Sequence, residues 1–110
     1  MTAAPEDLSP ARAAELLRNG AQGVDVREQY ERDAGHIADT LHNELERLAA
    51  EADTLDRERP VVFYCRSGSR SALAAQAFAA AGFEAHNLDG GLKAWVTEGL
   101  PIEPADGHVA

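Results

Sequence analysis

One stretch of this sequence carries the residue types of nucleophilic chemistry: Cys65-Arg66-Ser67-Gly68-Ser69-Arg70. Cys65 is the only cysteine in the chain. The thiolate is the reactive form of cysteine, and at a free pKa of about 8.5 it is a minority species at neutral pH. A loop that curls round the sulfur can aim several backbone N–H groups at it, and a helix starting just beyond adds the positive end of its dipole. Gly68 permits the backbone angles that so tight a cradle needs. Arg66 and Arg70 place two cations within six residues of an otherwise acidic chain, a local trap for an anionic substrate. A lone cysteine is more often a small buried hydrophobe. Here the five residues that follow it are polar or glycine, poor surroundings for a core position, and this context favours a reactive thiolate.

The elements that must position this loop are legible on both sides of it. Pro60-Val61-Val62-Phe63-Tyr64 reads as a strand, rich in β-branched and aromatic residues, and delivers Cys65 directly. A helix follows from about Ser69 to Ala81, stopped by Gly82, with Leu73, Ala77, Phe78 and Ala81 expected on its inner face. Upstream, Leu8-Ser9-Pro10 marks a helix start: Ser9 caps, Pro10 suits the first helical position, and Leu8 can staple onto Ala13. Ala13, Leu16 and Leu17 form its apolar face and Gly20 ends it. Gly23-Val24-Asp25-Val26 reads as a buried strand, Glu28 to Ala34 as one or two exposed helical turns ended by Gly35, and Glu44 to Ala52 as a helix with Leu45, Leu48 and Ala49 on one face. Glu84 to Leu88 is a weaker strand, Leu92 to Glu98 a short helix carrying Trp95, and Pro101 to Ala110 a loose tail. Strands alternating with helices predict an α/β domain with a mostly parallel sheet, whose sites form beyond the carboxyl ends of the strands. Cys65 falls at that end.

The chain of 110 residues has room for one domain with a useful core. Hydrophobic residues at 45% and charged residues at 26% describe a globular, soluble chain. The net charge of -9 argues against nucleic acid or an anionic membrane as partner. The acidic stretch Met1 to Pro10 has no apolar run of signal-peptide type, and no segment approaches the roughly 20 apolar residues of a membrane helix. With one cysteine no internal disulfide can form, so a cytoplasmic location is the expectation. No cofactor is expected, and His42, His86 and His108 have no metal-ligand spacing to one another or to Cys65.

Several spaced motifs in the same order resemble the rhodanese domain. They are Val24-Asp25-Val26-Arg27 with Tyr30-Glu31 and Gly35-His36-Ile37, then Val61 to Ser71, then Asn87-Leu88-Asp89-Gly90-Gly91, Ala94-Trp95 and Gly99-Leu100-Pro101. The resemblance spans about residues 8–103 of a single domain covering 1–110, with 104–110 as a loose tail. It implies a five-stranded parallel sheet flanked by helices on both faces. It also implies transfer of a sulfane sulfur, from thiosulfate or a persulfide donor to cyanide, a thiol or a protein acceptor, by way of a Cys65 persulfide. Cys65 is then the nucleophile, and Arg66, Ser67, Gly68, Ser69 and Arg70 cradle the donor and the persulfide. The sequence departs from the family at Ala38-Asp39-Thr40, where a proline-glycine-alanine type of turn is usual. The strands expected near Leu41-His42-Asn43 and before Leu8 are hard to see.

Other residues have competing readings. Asp25 and Arg27 end a strand and either line the site or make a structural ion pair or a turn hydrogen bond, a structural role being favoured. Glu31 is expected to pair with Arg27. His36 is not needed as a base if the loop itself holds a thiolate, and Trp95 reads as core packing. A phosphatase or arsenate reductase would have its arginine six residues after the cysteine. Here Arg70 comes five after and Ser71 six after, so the loop is the shorter one. A persulfide carrier loaded by a protein partner stays open beside the free-standing enzyme.

Overall fold

Short apolar runs and helix-forming stretches alternate into one parallel sheet and four helices. The computed structural model describes residues 5–110; Met1–Ala4, part of the acidic N-terminal stretch, lie outside the described residues. In chain order the elements are β1 (Glu6–Leu8), α1 (Pro10–Arg18), β2 (Gln22–Asp25), α2 (Gln29–Ala34), β3 (Leu41–His42), β4 (Val61–Tyr64), α3 (Ser69–Ala80), β5 (Ala85–Leu88) and α4 (Gly91–Thr97). The strand order is β1-β5-β4-β2-β3, and every pairing is parallel. No helix among the described residues is long and apolar enough to cross a membrane.

β4 is central and buried along its whole length, which is why its sequence is continuously apolar rather than alternating. The two-residue repeat of a strand still sorts its side chains. Val61, Phe63 and Cys65 face one layer, with Ala74, Ala75, Phe78 and Ala79 of α3 and with Leu48 and Leu55. Val62 and Tyr64 face the other, with Leu8, with Ala13 of α1 and with Leu92 and Trp95 of α4. Helices therefore cover both faces. The small residues of α1 and α3 let these helices lie close on the sheet, while Phe63, Phe78 and Phe83 pack as tilted pairs at centroid distances of 5.1 and 5.0 Å to fill one layer.

The start of α1 follows its sequence: Pro10 is its first residue and Ser9 Oγ accepts from Arg12 N at 3.2 Å, a cap worth about 1 kcal/mol. Elsewhere the sequence-based expectations need correction. The edge strands that are hard to see in the sequence exist as β1 and β3, of three and two residues. Their pairing comes from neighbours already in the sheet, not from local propensity. Glu44–Ala52 is not one helix; it holds a 3-10 turn at Leu45–Arg47, with another at Ala52–Thr54. Leu48 is buried as expected, but Ala49 faces solvent. The inner face of α3 is Ser71, Ala74, Ala75, Phe78 and Ala79, whereas Leu73 is 60% exposed and Ala77 and Ala81 also point outward. Alanines on every side of this helix leave its periodicity ambiguous, and Phe78 alone does not fix the phase.

Residues 104–110 are docked rather than loose. His108 N donates to Ala34 O at 2.9 Å, Val109 packs against the core layer of α1 and α4, and Arg66 Nε donates to Ala110 O at 3.0 Å. Just upstream, His36 and Glu103 exchange backbone hydrogen bonds of 2.9 and 2.7 Å. Trp95 is core, as expected, and its Nε1 donates to Pro101 O at 2.8 Å.

Candidate active site

β4 ends at Tyr64, so Cys65 leaves the centre of the sheet on its carboxyl side, and α3 begins four residues later at Ser69. The turn between them is tight because Gly68 takes a φ of +107°, in the left-handed region open mainly to glycine, and caps α3. Cys65 is fully buried. Its Sγ receives Gly68 N at 3.1 Å and lies 3.3 Å from the Ser71 hydroxyl. Burial alone pushes the Cys65 thiol up. The Ser71 hydroxyl and the amides of Ser71, Gly68 and Ser67 outweigh burial, and the net shift is downward, toward the thiolate.

The loop backbone is clamped from the side by α4. Leu92 N donates to Cys65 O at 2.8 Å and Lys93 N to Arg66 O at 3.1 Å. The approach is close enough that a Cβ on Gly91 would stand 2.5 Å from the Arg66 carbonyl. Gly91, which reads in sequence only as part of a punctuating Gly90-Gly91 pair, is thus what lets the start of α4 press on the cysteine loop.

The two arginines differ. Arg66 is exposed and touches the docked C-terminal segment. Arg70 is partly covered and forms a two-pronged pair with Glu31, Nη1 to Oε1 at 2.8 Å and Nη2 to Oε2 at 2.9 Å. Glu31 is buried on α2, and the hydrogen bond from Arg70 holds its carboxyl below the usual range against the opposing effect of burial. The expected partner of Glu31 was Arg27; the structure gives it Arg70. Arg27 instead turns back on Asp25, with Nε to Oδ1 at 2.8 Å and Nη2 to Oδ2 at 2.7 Å, both side chains wholly buried. This is the structural role favoured from the sequence. Burial lowers the Arg27 pKa, but the hydrogen bond and charge of Asp25 more than offset it.

No imidazole among the described residues hydrogen-bonds to Cys65. His36 Nδ1 lies 3.1 Å from Arg32 O, His42 Nε2 lies 2.6 Å from Arg27 O, and His86 meets Glu84 at 2.9 Å. Nor do the described residues place three His, Cys, Asp or Glu side chains where they could share a metal ion. Beside Arg70 lies a cleft of about 260 Å³, lined by Val26, Glu28, Glu44, Leu45 and Glu46 together with Arg70 itself.

Sequence reasoning missed Ser71, whose hydroxyl meets the sulfur, and Asn87, which meets Ser71. Ser71 Oγ donates to Asn87 Oδ1 at 2.6 Å, and Asn87 Nδ2 donates to Asp7 Oδ1 at 3.0 Å. The available signal was spacing: Ser71 is two residues into α3 from Ser69, in the turn whose amides face Cys65.

The Rhodanese-like domain family matches residues 9–98. The chain belongs to this family. Among its relatives, the thiosulfate sulfurtransferase GlpE of Pseudomonas aeruginosa is 34% identical over 100 residues, which cover 90% of this chain and 87% of that one. The protein of the same name from Actinobacillus pleuropneumoniae is 35% identical over 101 residues, covering 90% and 94%. A rhodanese-related protein from Thermoplasma volcanium has a similar structure, with a TM-score of 0.83, 27% identity and coverage of 88% of this chain and 96% of that one. The rhodanese-like fold, five parallel strands between helices, is therefore established for this chain, and its family is one of sulfurtransferases.

Proposed function

We propose that the chain is a rhodanese-type thiosulfate sulfurtransferase in which Cys65 carries the sulfur as a persulfide. The observation that carries this reading is the Cys65 sulfur enclosed by donors: the Gly68 amide, neighbouring amides of the loop and the Ser71 hydroxyl. Such donors stabilise the thiolate first and the persulfide anion afterwards. In the first displacement the thiolate attacks the outer sulfur of thiosulfate. The S–S bond of the donor breaks, and sulfite leaves with the bonding pair. In the second, cyanide or a thiolate attacks the outer sulfur of the Cys65 persulfide and the Cys65 thiolate is regenerated. Arg66 and Arg70 bind the donor's oxyanion, while Ser67, Gly68 and Ser69 supply the cradle. The reaction needs no cofactor, and a chain with one reactive thiol and no disulfide suits the cytoplasm.

The test is direct. Incubation of the protein with thiosulfate is expected to release sulfite and to raise the intact mass by one sulfur atom, and cyanide is expected to remove that mass. An unchanged mass at saturating thiosulfate would refute thiosulfate as donor. The carboxylates of Glu28, Glu44 and Glu46 in the cleft beside Arg70 favour a second reading, in which a protein delivers or receives the sulfur, because they repel a free dianion. Loading from a persulfidated protein but not from thiosulfate identifies that carrier role. The short loop disfavours a phosphatase or an arsenate reductase.

Arg70 has two jobs in this reading, and they can be separated. Arg70→Ala leaves Glu31 buried without its cation, at a cost of about 2 kcal/mol for a pair open to solvent on one side. It is also expected to raise the KM for thiosulfate about tenfold, through loss of a charge-assisted contact. Adding Glu31→Gln should restore most of the stability but not the KM. Denaturant curves and thiosulfate kinetics on both variants check this, and a recovered KM in the double variant would exclude Arg70 from donor binding. The depressed pKa of Glu31 gives the pair a pH signature. Its contribution is full above the ordinary carboxylate pKa of about 4.3 and is lost as the pH falls through the lower folded value.

A further inference from the structure

Ser71 lies in the first turn of α3, and its hydroxyl has three acceptors in reach: Asn87 Oδ1 at 2.6 Å, Cys65 Sγ at 3.3 Å and Gly68 O at 3.3 Å. A hydroxyl has one hydrogen to give. Which acceptor takes it is settled on the far side of Asn87. That side chain is buried on β5, and its Nδ2 donates to Asp7 Oδ1 at 3.0 Å. Asp7 stands on the edge strand β1, in register with Asn87. An ionised carboxylate can only accept. Asp7 therefore holds the amide with Nδ2 toward the sheet edge and Oδ1 toward Ser71, where Oδ1 competes with the sulfur for the one hydroxyl hydrogen over the shortest of the three contacts. Were the amide reversed, Nδ2 would donate to Ser71 Oγ and the hydroxyl hydrogen would be left to the sulfur and Gly68 O.

We infer that Asp7 is a positioning residue for Cys65: acting through Asn87, it sets an acceptor that competes with the sulfur for the Ser71 hydroxyl and so limits how far the thiolate is stabilised. The inference rests on the reading of Cys65 as the sulfur-carrying nucleophile and deepens it. Stabilising a thiolate raises its population but lowers its nucleophilicity, and a thiol attacks fastest when its pKa lies near the ambient pH. The loop amides supply ionisation; the Asp7–Asn87–Ser71 chain keeps the ionised sulfur reactive. It also couples the edge of the sheet to the reacting atom through three side chains, none of which lies in the loop Cys65–Arg70.

The experiment reads the thiol itself. The pKa of Cys65 is taken from the pH dependence of its alkylation by iodoacetamide, in the wild type, Asp7→Asn, Ser71→Ala and the double variant. Asp7 is exposed, so Asp7→Asn should fold, and an asparagine there can donate to Asn87 Oδ1 and reverse the amide. Asp7→Asn is expected to lower the Cys65 pKa by about half a unit, about threefold more thiolate at a given pH below it. In the Ser71→Ala background the same substitution should give no shift. An unchanged pKa in Asp7→Asn and also in Asp7→Lys, whose ammonium can only donate and so cannot hold Asn87 Nδ2 at the sheet edge, would overturn the inference. So would an equal shift in both backgrounds, which would mean that the charge of Asp7 acts directly through space. Alkylation requires no sulfur donor, so a negative result here is distinct from a failure of thiosulfate to load the protein.

Discussion

Cys65→Ser is expected to abolish sulfur loading altogether and to reduce thiosulfate-to-cyanide turnover at least about 10⁴-fold, the scale seen when a covalent nucleophile is removed. The hydroxyl of a serine stays protonated in this setting, because the Gly68 amide and its neighbours compensate burial only for a group that already ionises near neutrality. An oxygen there also cannot become a persulfide. The fold should survive, since serine is close to cysteine in size and the loop offers it hydrogen-bond partners. Intact mass after thiosulfate treatment and the denaturation midpoint of the same sample separate the two effects. Because Cys65 is the only cysteine, any mass gain that persists in the variant would place the sulfur on another residue type and remove Cys65 from the reaction.

The second large effect concerns stability. Asp25→Ala is expected to cost about 3–5 kcal/mol, as when one member of a buried ion pair is removed. A domain of this kind has only about 5–15 kcal/mol to lose. Asp25 accepts from the Arg27 backbone N–H at 3.1 Å as well as from its Nε and Nη2. Gly35 O at 2.8 Å also accepts from Arg27 Nη2, and Nη1 has no partner among the described residues. Little remains to hold that buried charge once Asp25 is gone. Urea unfolding measures the loss. Replacing the pair together, as Asp25→Leu with Arg27→Met, should recover much of it. A loss below about 1 kcal/mol for Asp25→Ala would mean that water reaches Arg27 and that the pair is not structurally important.

What the sequence shows of this molecule depends on how locally each feature is determined. The run Val61–Tyr64, the capped start at Ser9-Pro10 and the cysteine loop are specified by neighbours in the chain, and the structure has them where they are expected. The edge strands β1 and β3 are too short to leave a pattern and exist because β5 and β2 offer them partners. The face of α3 is obscured by a helix built mostly of alanine, in which only packing decides which methyl groups are inside. Around the sulfur, the residues that are sequence neighbours of Cys65 are legible. Ser71 is near in sequence but unmarked, and Glu31, Asn87 and Asp7 arrive from other elements. Glu31 shows the difficulty well: the charge pattern says that it pairs with an arginine, but only tertiary structure selects Arg70 over Arg27.

The close approach of Gly91 to the Arg66 carbonyl divides the site into parts that can change and parts that cannot. Cys65 and Arg66 are gripped through their carbonyls, and the sulfur meets main-chain N–H groups. Main-chain groups are the same whatever side chain is attached. Positions 66, 67 and 69 point outward, so substitution there changes the face the loop presents while leaving the sulfur's surroundings intact. Gly68 and Gly91 have no such latitude, since any Cβ would strain the turn or drive α4 off the loop. A lineage carrying this loop is therefore free to drift among donors and acceptors by changing its outward side chains, so long as those two glycines stay in place.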